Sequence, residues 1–142
     1  MARKARWRVV ERVRGPDGKV VTHTGTLSVR SLDGIWYIGE GKGEMGPTIM
    51  TLGFDPEKNR YVGTFIGSMM TDMWVYDGQV DGAGKVLTLD TEGPSFADDG
   101  SRAPYKDSIE FKNDDHWVLS SKMKDKDGNW NGFMTANYKR IK

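Results

Sequence analysis

Residues 48–67 read TIMTLGFDPEKNRYVGTFIG, and this stretch decides the fold. Two runs rich in β-branched and aromatic residues flank the turn sequence Asp55-Pro56-Glu57-Lys58-Asn59. Such residues favour strands, and a short connection makes two consecutive strands antiparallel neighbours. The stretch therefore predicts a β-hairpin.

The same pattern extends outward in both directions. Further turn sequences occur at residues 15–18, 32–34, 81–84, 113–115 and 125–129, and no eleven-residue window has the apolar period of a helix. The five prolines are predicted at turns or in the loop between Gly93 and Pro104, outside strand interiors. The predicted strands cover residues 5–14, 19–31, 35–44, 48–54, 60–67, 71–80, 85–92, 105–112, 116–124 and 130–140.

An open meander of so many strands would leave two long unpaired edges. We therefore predict an all-β fold, a single antiparallel up-and-down β-barrel of about ten strands of the lipocalin-like kind, forming one domain over residues 1–142. A barrel of this class can enclose one small ligand. Glycines at 39, 41, 43, 63 and 67 lie inside strand patterns, where glycine marks bulges and sharp corners.

Composition narrows the function classes. The chain has no cysteine, which excludes disulfides, thiolate metal sites and cysteine nucleophiles. Residues 1–7 lack the apolar core of a signal peptide, and no apolar run approaches the roughly 20 residues of a membrane span. We expect a cytoplasmic protein without a membrane partner. The net charge of +1 argues against a nucleic-acid partner, and the basic residues among the first fourteen are interpreted as the solvated face of an edge strand rather than an anion patch.

Several segments together resemble a known family. They are Ser31-Leu32-Asp33-Gly34-Ile35-Trp36, Gly39-Glu40-Gly41-Lys42-Gly43-Glu44-Met45, Gly53-Phe54-Asp55-Pro56, Tyr61-Val62-Gly63-Thr64-Phe65-Ile66-Gly67-Ser68-Met69, Leu87-Thr88-Leu89 through Glu92-Gly93-Pro94, and Tyr138-Lys139-Arg140. In this order they resemble the domain-of-unknown-function family 1579, and the likeness covers the chain from about Trp7 onward. It implies a bacterial protein with a calycin-like barrel and assigns no activity. It also implies that a tryptophan of the first strand, Trp7, packs against a basic side chain of the last strand, Arg140.

The short motifs do not support a catalytic, metal or cofactor site. Residues 41–46 spell GxGxxG, but Pro47 and a β-branched run follow instead of the helix that a dinucleotide site needs. The Asp125–Asn129 turn lacks the flanking helices of a calcium loop. His23 and His116 are the only histidines and make a poor ligand set, and no Gly-x-Ser-x-Gly elbow is present. We therefore assign no catalytic residue, no metal and no cofactor.

The segment from Phe65 to Tyr76 is the richest in methionine and aromatic residues. Methionine is flexible and polarizable, so this segment either fills the barrel or forms an adaptable lining for an apolar ligand. Glu40, Ser68 and Tyr76 are candidate polar anchors. The predicted ligand-binding residues are Trp36, Glu40, Met50, Phe65, Ser68, Met70, Trp74, Tyr76, Met123 and Phe133.

The leading functional hypothesis is a barrel without enzymatic activity that binds a small apolar or amphipathic molecule. One alternative is a barrel enzyme, of the isomerase or cyclase type, acting on a ligand held inside. Another is a structural or interaction module with a filled core. A homodimer is also left open. The binding barrel and the barrel enzyme both need an internal cavity, whereas the filled module does not. An enzyme also needs a titratable group of perturbed pKa facing that cavity.

Overall fold

The computed structural model describes residues 5–97 and 99–142, and within them all regular structure is β-strand. The ten strands are β1 Ala5–Arg14, β2 Val20–Leu32, β3 Trp36–Gly43, β4 Thr48–Asp55, β5 Arg60–Gly67, β6 Trp74–Val80, β7 Val86–Pro94, β8 Arg102–Asn113, β9 His116–Lys124 and β10 Trp130–Arg140.

Each strand is antiparallel to the next, and β1 also pairs with β10, which closes the barrel. Trp7 lies opposite Leu27 of β2 on one side and Arg140 of β10 on the other. The predicted all-β, up-and-down, ten-stranded barrel is therefore confirmed. In the ranges that the structure describes, no helix is long and apolar enough to cross a membrane.

The predicted strand limits differ from the observed ones mainly around β6 and β8. β6 begins at Trp74 rather than residue 71, and β8 begins at Arg102 rather than residue 105. Pro104 consequently lies inside β8, so the prediction that every proline avoids strand interiors is wrong at this position. Pro104 pairs with Glu92 of β7, whereas pairing with β9 begins only at Tyr105. Since β8 has a single neighbour at Pro104, the missing N–H is tolerated there as it is at a sheet edge.

The end of the barrel that carries the β2–β3, β4–β5, β6–β7 and β8–β9 turns is closed by packed side chains. Its core contains Tyr76, Leu87, Leu89 and Ile109, and Leu89 is completely buried. Aromatic rings continue this packing toward the seam between β1 and β10, where Trp117 stacks on Tyr138 with ring centroids 3.7 Å apart.

The seam itself is joined by an aromatic–cation contact. The Cζ atom of Arg140 lies 4.5 Å from the ring centroid of Trp7, and Trp7 also meets Trp117 edge to face at 5.8 Å. The Arg140 guanidinium also donates to Oδ1 of Asp115 at 3.1 Å and to the carbonyl of Asp114. The packing of Trp7 against Arg140 that the family resemblance implied is confirmed.

Candidate ligand-binding site

A cavity of about 630 Å³ occupies the barrel interior above the closed end. It reaches the surface at the opposite end, among the β3–β4, β5–β6 and β7–β8 connections, which contribute Met45, Met69 and Phe96 to its lining. Most of the lining is apolar. This volume falls within the roughly 300–1,000 Å³ that is usual for small-molecule sites.

Four aromatic side chains form one side of the mouth. Tyr105 contacts Trp74 and Phe133 edge to face, with ring centroids 4.9 and 5.9 Å apart, and Phe96 packs between Tyr105 and Phe133. The Tyr105 hydroxyl donates to the carbonyl oxygen of Pro94. Edge-to-face pairs hold rings in defined positions, so this group, which we call the aromatic mouth, is a preorganised apolar surface.

Trp74 has its position because β7 carries a glycine opposite it. A Cβ atom placed on Gly93 would lie 2.0 Å from Cη2 of Trp74, so the indole occupies the space that any other residue would fill. The indole Nε1 donates to Sδ of Met70 at 3.2 Å, which ties the β5–β6 connection to the aromatic mouth.

A β-bulge completes the mouth on β10. The register of β10 against β9 shifts between Gly132 and Met134, and both Phe133 and Met134 line the cavity. In a regular strand, successive side chains point to opposite faces. The extra residue of a bulge re-aims one of them, which explains why two adjacent residues reach the same interior.

The wall opposite the aromatic mouth is rich in glycine. Gly25 of β2 and Gly39, Gly41 and Gly43 of β3 all line the cavity. A Cβ atom on Gly41 would lie 2.4 Å from Oγ1 of Thr48, so β3 can pass this close to β4 only without a side chain. His23 and Leu27 of β2 also line this side of the cavity, so the wall combines glycine backbone with a few side chains.

The polar base of the cavity centres on Asp107 of β8. The buried Tyr76 hydroxyl donates to Oδ2 of Asp107 at 2.7 Å, and the Ser121 hydroxyl donates to Oδ1 at 2.6 Å. Burial raises the pKa of the Asp107 carboxyl, and the two hydrogen bonds oppose that rise. Burial and the neighbouring Asp107 raise the pKa of the Tyr76 hydroxyl as well.

Glu11 of β1 brings a second carboxyl to the same interior. Burial raises the pKa of Glu11, and the charge of His23, its register partner on β2, counteracts this. The pKa of the Tyr138 hydroxyl is raised by burial and then by the charges of Glu11 and Asp107. Glu11 and Asp107 therefore act on the same space around Tyr138.

The acidic side chain nearest the β3–β4 connection is already paired. His23 Nδ1 lies 3.1 Å from Oε2 of Glu44, and the Thr24 hydroxyl donates to the other oxygen of Glu44 at 3.3 Å. The hydrogen bond from His23 holds the pKa of the Glu44 carboxyl below its usual value. This pair spans β2 and the β3–β4 connection beside the cavity mouth.

Six of the predicted ligand-binding residues come together around the cavity. They are Met50, Phe65, Met70, Trp74, Tyr76 and Phe133. Their role in ligand binding stays a prediction, but the structure brings them to one interior surface.

The other four predicted residues do not line the cavity. Trp36 and Glu40 are exposed on the face of β3 opposite the glycines, where Glu40 lies 3.8 Å from the Arg30 guanidinium. Ser68 is exposed in the β5–β6 connection, and its amide donates to the carbonyl of Pro47. Met123 lies on the face of β9 that carries Leu119 and Ser121, yet it is not part of the lining.

The sequence prediction missed Asp107 and Glu11, although a signal for both exists. In β8, Asp107 alternates with the apolar Tyr105 and Ile109, and in β1, Glu11 occupies the alternating series that contains Val9. A carboxylate in the apolar register of a strand is unusual because its burial is costly, and such a position therefore indicates a functional candidate. Phe96 carries no such signal, since it lies in a connection without periodicity.

Among the described residues, no three His, Asp or Glu side chains are grouped so that they could hold a metal ion. The cavity lining presents hydroxyl, carboxyl and apolar groups to a ligand.

A closed antiparallel barrel of ten strands, with an interior cavity that opens at one end, defines a lipocalin-like barrel protein. The chain belongs to the family described as protein of unknown function, DUF1579, whose family model matches residues 5–140. A comparison with curated proteins gave no match.

Proposed function

We propose that this barrel binds a small amphipathic molecule in its interior. The observation that carries the proposal is the cavity of about 630 Å³, whose apolar walls surround a few convergent polar groups at Asp107. Specific small-molecule sites have this composition, because apolar area supplies affinity and a few polar groups fix orientation. The aromatic mouth would hold the apolar part of the ligand, and the polar base would face its head group.

The open interior favours this reading over a filled structural module. A barrel that serves only as a scaffold gains by filling its core to the density of a protein interior. Here Gly25, Gly39, Gly41 and Gly43 reduce the number of side chains on the wall formed by β2 and β3. Maintaining that space has a cost in packing, which a bound molecule would offset.

The barrel-enzyme alternative draws on one observation. Asp107 and Glu11 are carboxyls that face the cavity, and burial raises the pKa of each toward the range of a general acid. An isomerase or cyclase would convert a bound molecule, whereas a binding protein returns it unchanged. Mass spectrometry of an amphiphile recovered after incubation separates the two.

Binding is tested with the neutral fluorescent probe Nile red. We expect its emission to rise and shift to shorter wavelength with wild-type protein, and Trp74→Ala to weaken binding about tenfold, since a large aromatic surface is lost from the mouth. Trp130→Ala is the matched control, because Trp130 packs outside the cavity among Lys106, Lys122 and Lys124. Circular dichroism of each variant checks the fold.

Two results would overturn the proposal. The first is the absence of Nile red binding to the folded wild-type protein. The second is equal weakening by Trp74→Ala and Trp130→Ala, which would place the probe on the outer surface.

Several expectations remain predictions from the sequence. They are the cytoplasmic location, the bacterial source, the absence of membrane and nucleic-acid partners, and the open question of a homodimer.

A further inference from the structure

The charged side chains that face the cavity are unequal in sign. Glu11, Glu44 and Asp107 contribute carboxyls to the lining, and among the described lining residues there is no arginine. His23 is already engaged by Glu44. Lys42 is exposed and alternates with the inward-facing Gly41 and Gly43, so its side chain points to the outer face of β3.

Hydrogen bonding at Asp107 is also unequal, because acceptor positions remain free while the neighbouring donors are used. The Tyr76 and Ser121 hydroxyls each donate their single proton in a hydrogen bond to Asp107. A carboxylate has about four acceptor positions, so Asp107 can still accept from a ligand. Asp107 therefore offers acceptors, and the two hydroxyls that contact it have no proton left to donate. Elsewhere in the lining, the buried Thr91 hydroxyl has no hydrogen-bond partner.

We propose that the ligand of this cavity is an amphiphile with a protonated amine head, which lies toward Asp107 and Glu11 while its apolar body contacts the aromatic mouth. This inference rests on the proposed binding function and names the chemical class of the ligand. An anionic amphiphile such as a fatty acid would bring a further negative charge to Glu11 and Asp107, with no lining arginine to receive it.

The burial of the two carboxyls supports this choice. Burial disfavours the charged form of Glu11 and Asp107 and raises the pKa of both. An ammonium group beside them supplies the missing positive charge, and each hydrogen bond that it donates to a carboxylate is stronger than one between neutral groups. An alcohol head can donate one such bond without the charge, so it ranks between an amine and a carboxylate.

The test is displacement of Nile red by decylamine, decanol and undecanoate at pH 7, each below its micelle concentration or solubility limit. These three share one apolar chain and differ in the head group, so chain burial cancels from the comparison. We expect decylamine to displace the probe at about one tenth of the undecanoate concentration, with decanol between them, as one or two charge-assisted hydrogen bonds would give.

Asp107→Asn and Glu11→Gln assign the preference to the carboxyls. Each should bring the decylamine and undecanoate concentrations to within about threefold of each other, with both displacements measured against the Nile red affinity of the same variant. Glu110→Gln is the matched control, because Glu110 lies on the opposite face of β8 and pairs with Lys112. Glu11→Gln also keeps the test decisive if Asp107→Asn fails to fold.

The possible outcomes distinguish failure of the amine inference from failure of the proposed binding function. If Nile red does not bind to wild-type protein, the proposed function itself fails. If Nile red binds and undecanoate displaces it as readily as decylamine, only the amine inference is overturned. A preference for decylamine that survives both Asp107→Asn and Glu11→Gln, or that Glu110→Gln abolishes equally, also overturns it.

Discussion

Closing the barrel through Trp7 and Arg140 should produce a measurable coupling free energy. The guanidinium lies 4.5 Å from the ring centroid of Trp7, within the ~6 Å over which a cation is attracted to an aromatic face. Trp7 is 8% exposed, whereas the Arg140 side chain is 36% exposed. Partial exposure places the coupling between the values for exposed and desolvated pairs, at about 1 kcal/mol.

The single substitutions should differ in cost. Trp7→Ala removes a buried indole that also packs on Trp117, and should cost about 3–5 kcal/mol. Arg140→Ala loses the contact with Trp7 and the hydrogen bonds to Asp114 and Asp115, and should cost about 2 kcal/mol. The bonds to Asp114 and Asp115 are lost whether or not Trp7 is present, so they cancel from the coupling.

The assay is urea unfolding of the wild type, the two single variants and the double variant, followed by circular dichroism. The double variant should be about 1 kcal/mol more stable than the sum of the single costs predicts. Lys139→Ala is the matched control, since Lys139 is exposed and lies opposite Arg8 rather than Trp7. A coupling indistinguishable from that of the Lys139 control would refute the claim that the stacked pair stabilises the seam.

Two further predictions concern pH and turn geometry. Because burial raises the pKa of Asp107, the folded protein binds that proton more tightly than the unfolded chain, so the free energy of unfolding should fall as pH rises from about 4 through the raised pKa. Urea titrations across this range should show that Asp107→Asn removes part of the slope, and an unchanged slope would contradict the assignment. In the β6–β7 turn, Gly84 has a φ of 72° whereas Gly82 has no positive φ, and a Cβ atom on either would meet open space. Gly84→Ala should therefore cost about 1–2 kcal/mol and Gly82→Ala less than about 0.5 kcal/mol, and equal costs in thermal unfolding would show that the left-handed conformation is not what requires glycine there.

The strands were predictable because turn residues and alternation mark them locally. β1, β5, β9 and β10 have the predicted limits. The place of Pro104 inside β8 could not be predicted locally, because it depends on β9, which contributes no partner at that position. The inward face of each strand was harder to predict. In β3, alternation separates Trp36 and Glu40 from the glycines, but it does not say which set faces inward.

The residues of the candidate site could be predicted where a large apolar side chain lies at an inward-facing position of a strand. Met50, Phe65 and Trp74 satisfy both conditions and line the cavity. Phe96 reaches the interior from a connection, and Phe133 reaches it through a bulge, so neither position follows from strand periodicity. Asp107 interrupts the series of apolar residues on the inward face of β8. A search restricted to apolar residues misses it, although the interruption is visible in the sequence.

The order of the pairings bears on how the chain folds. Every pairing except the one between β1 and β10 joins strands that follow each other in sequence, so hairpins can form locally and add one to the next. The pairing of Trp7 with Arg140 must bring together the two ends of the described chain, and the entropy of closing so long a loop is lost before its contacts form. We expect this seam to form late, after the other strands have formed an open sheet. The unpaired edges of β1 and β10 in that sheet can pair with other molecules. Arg8 and Arg12 on the outer face of β1 would discourage that pairing during the interval. Contacts made after the transition state slow unfolding more than they speed folding, so the Trp7–Arg140 seam would govern the lifetime of the native barrel.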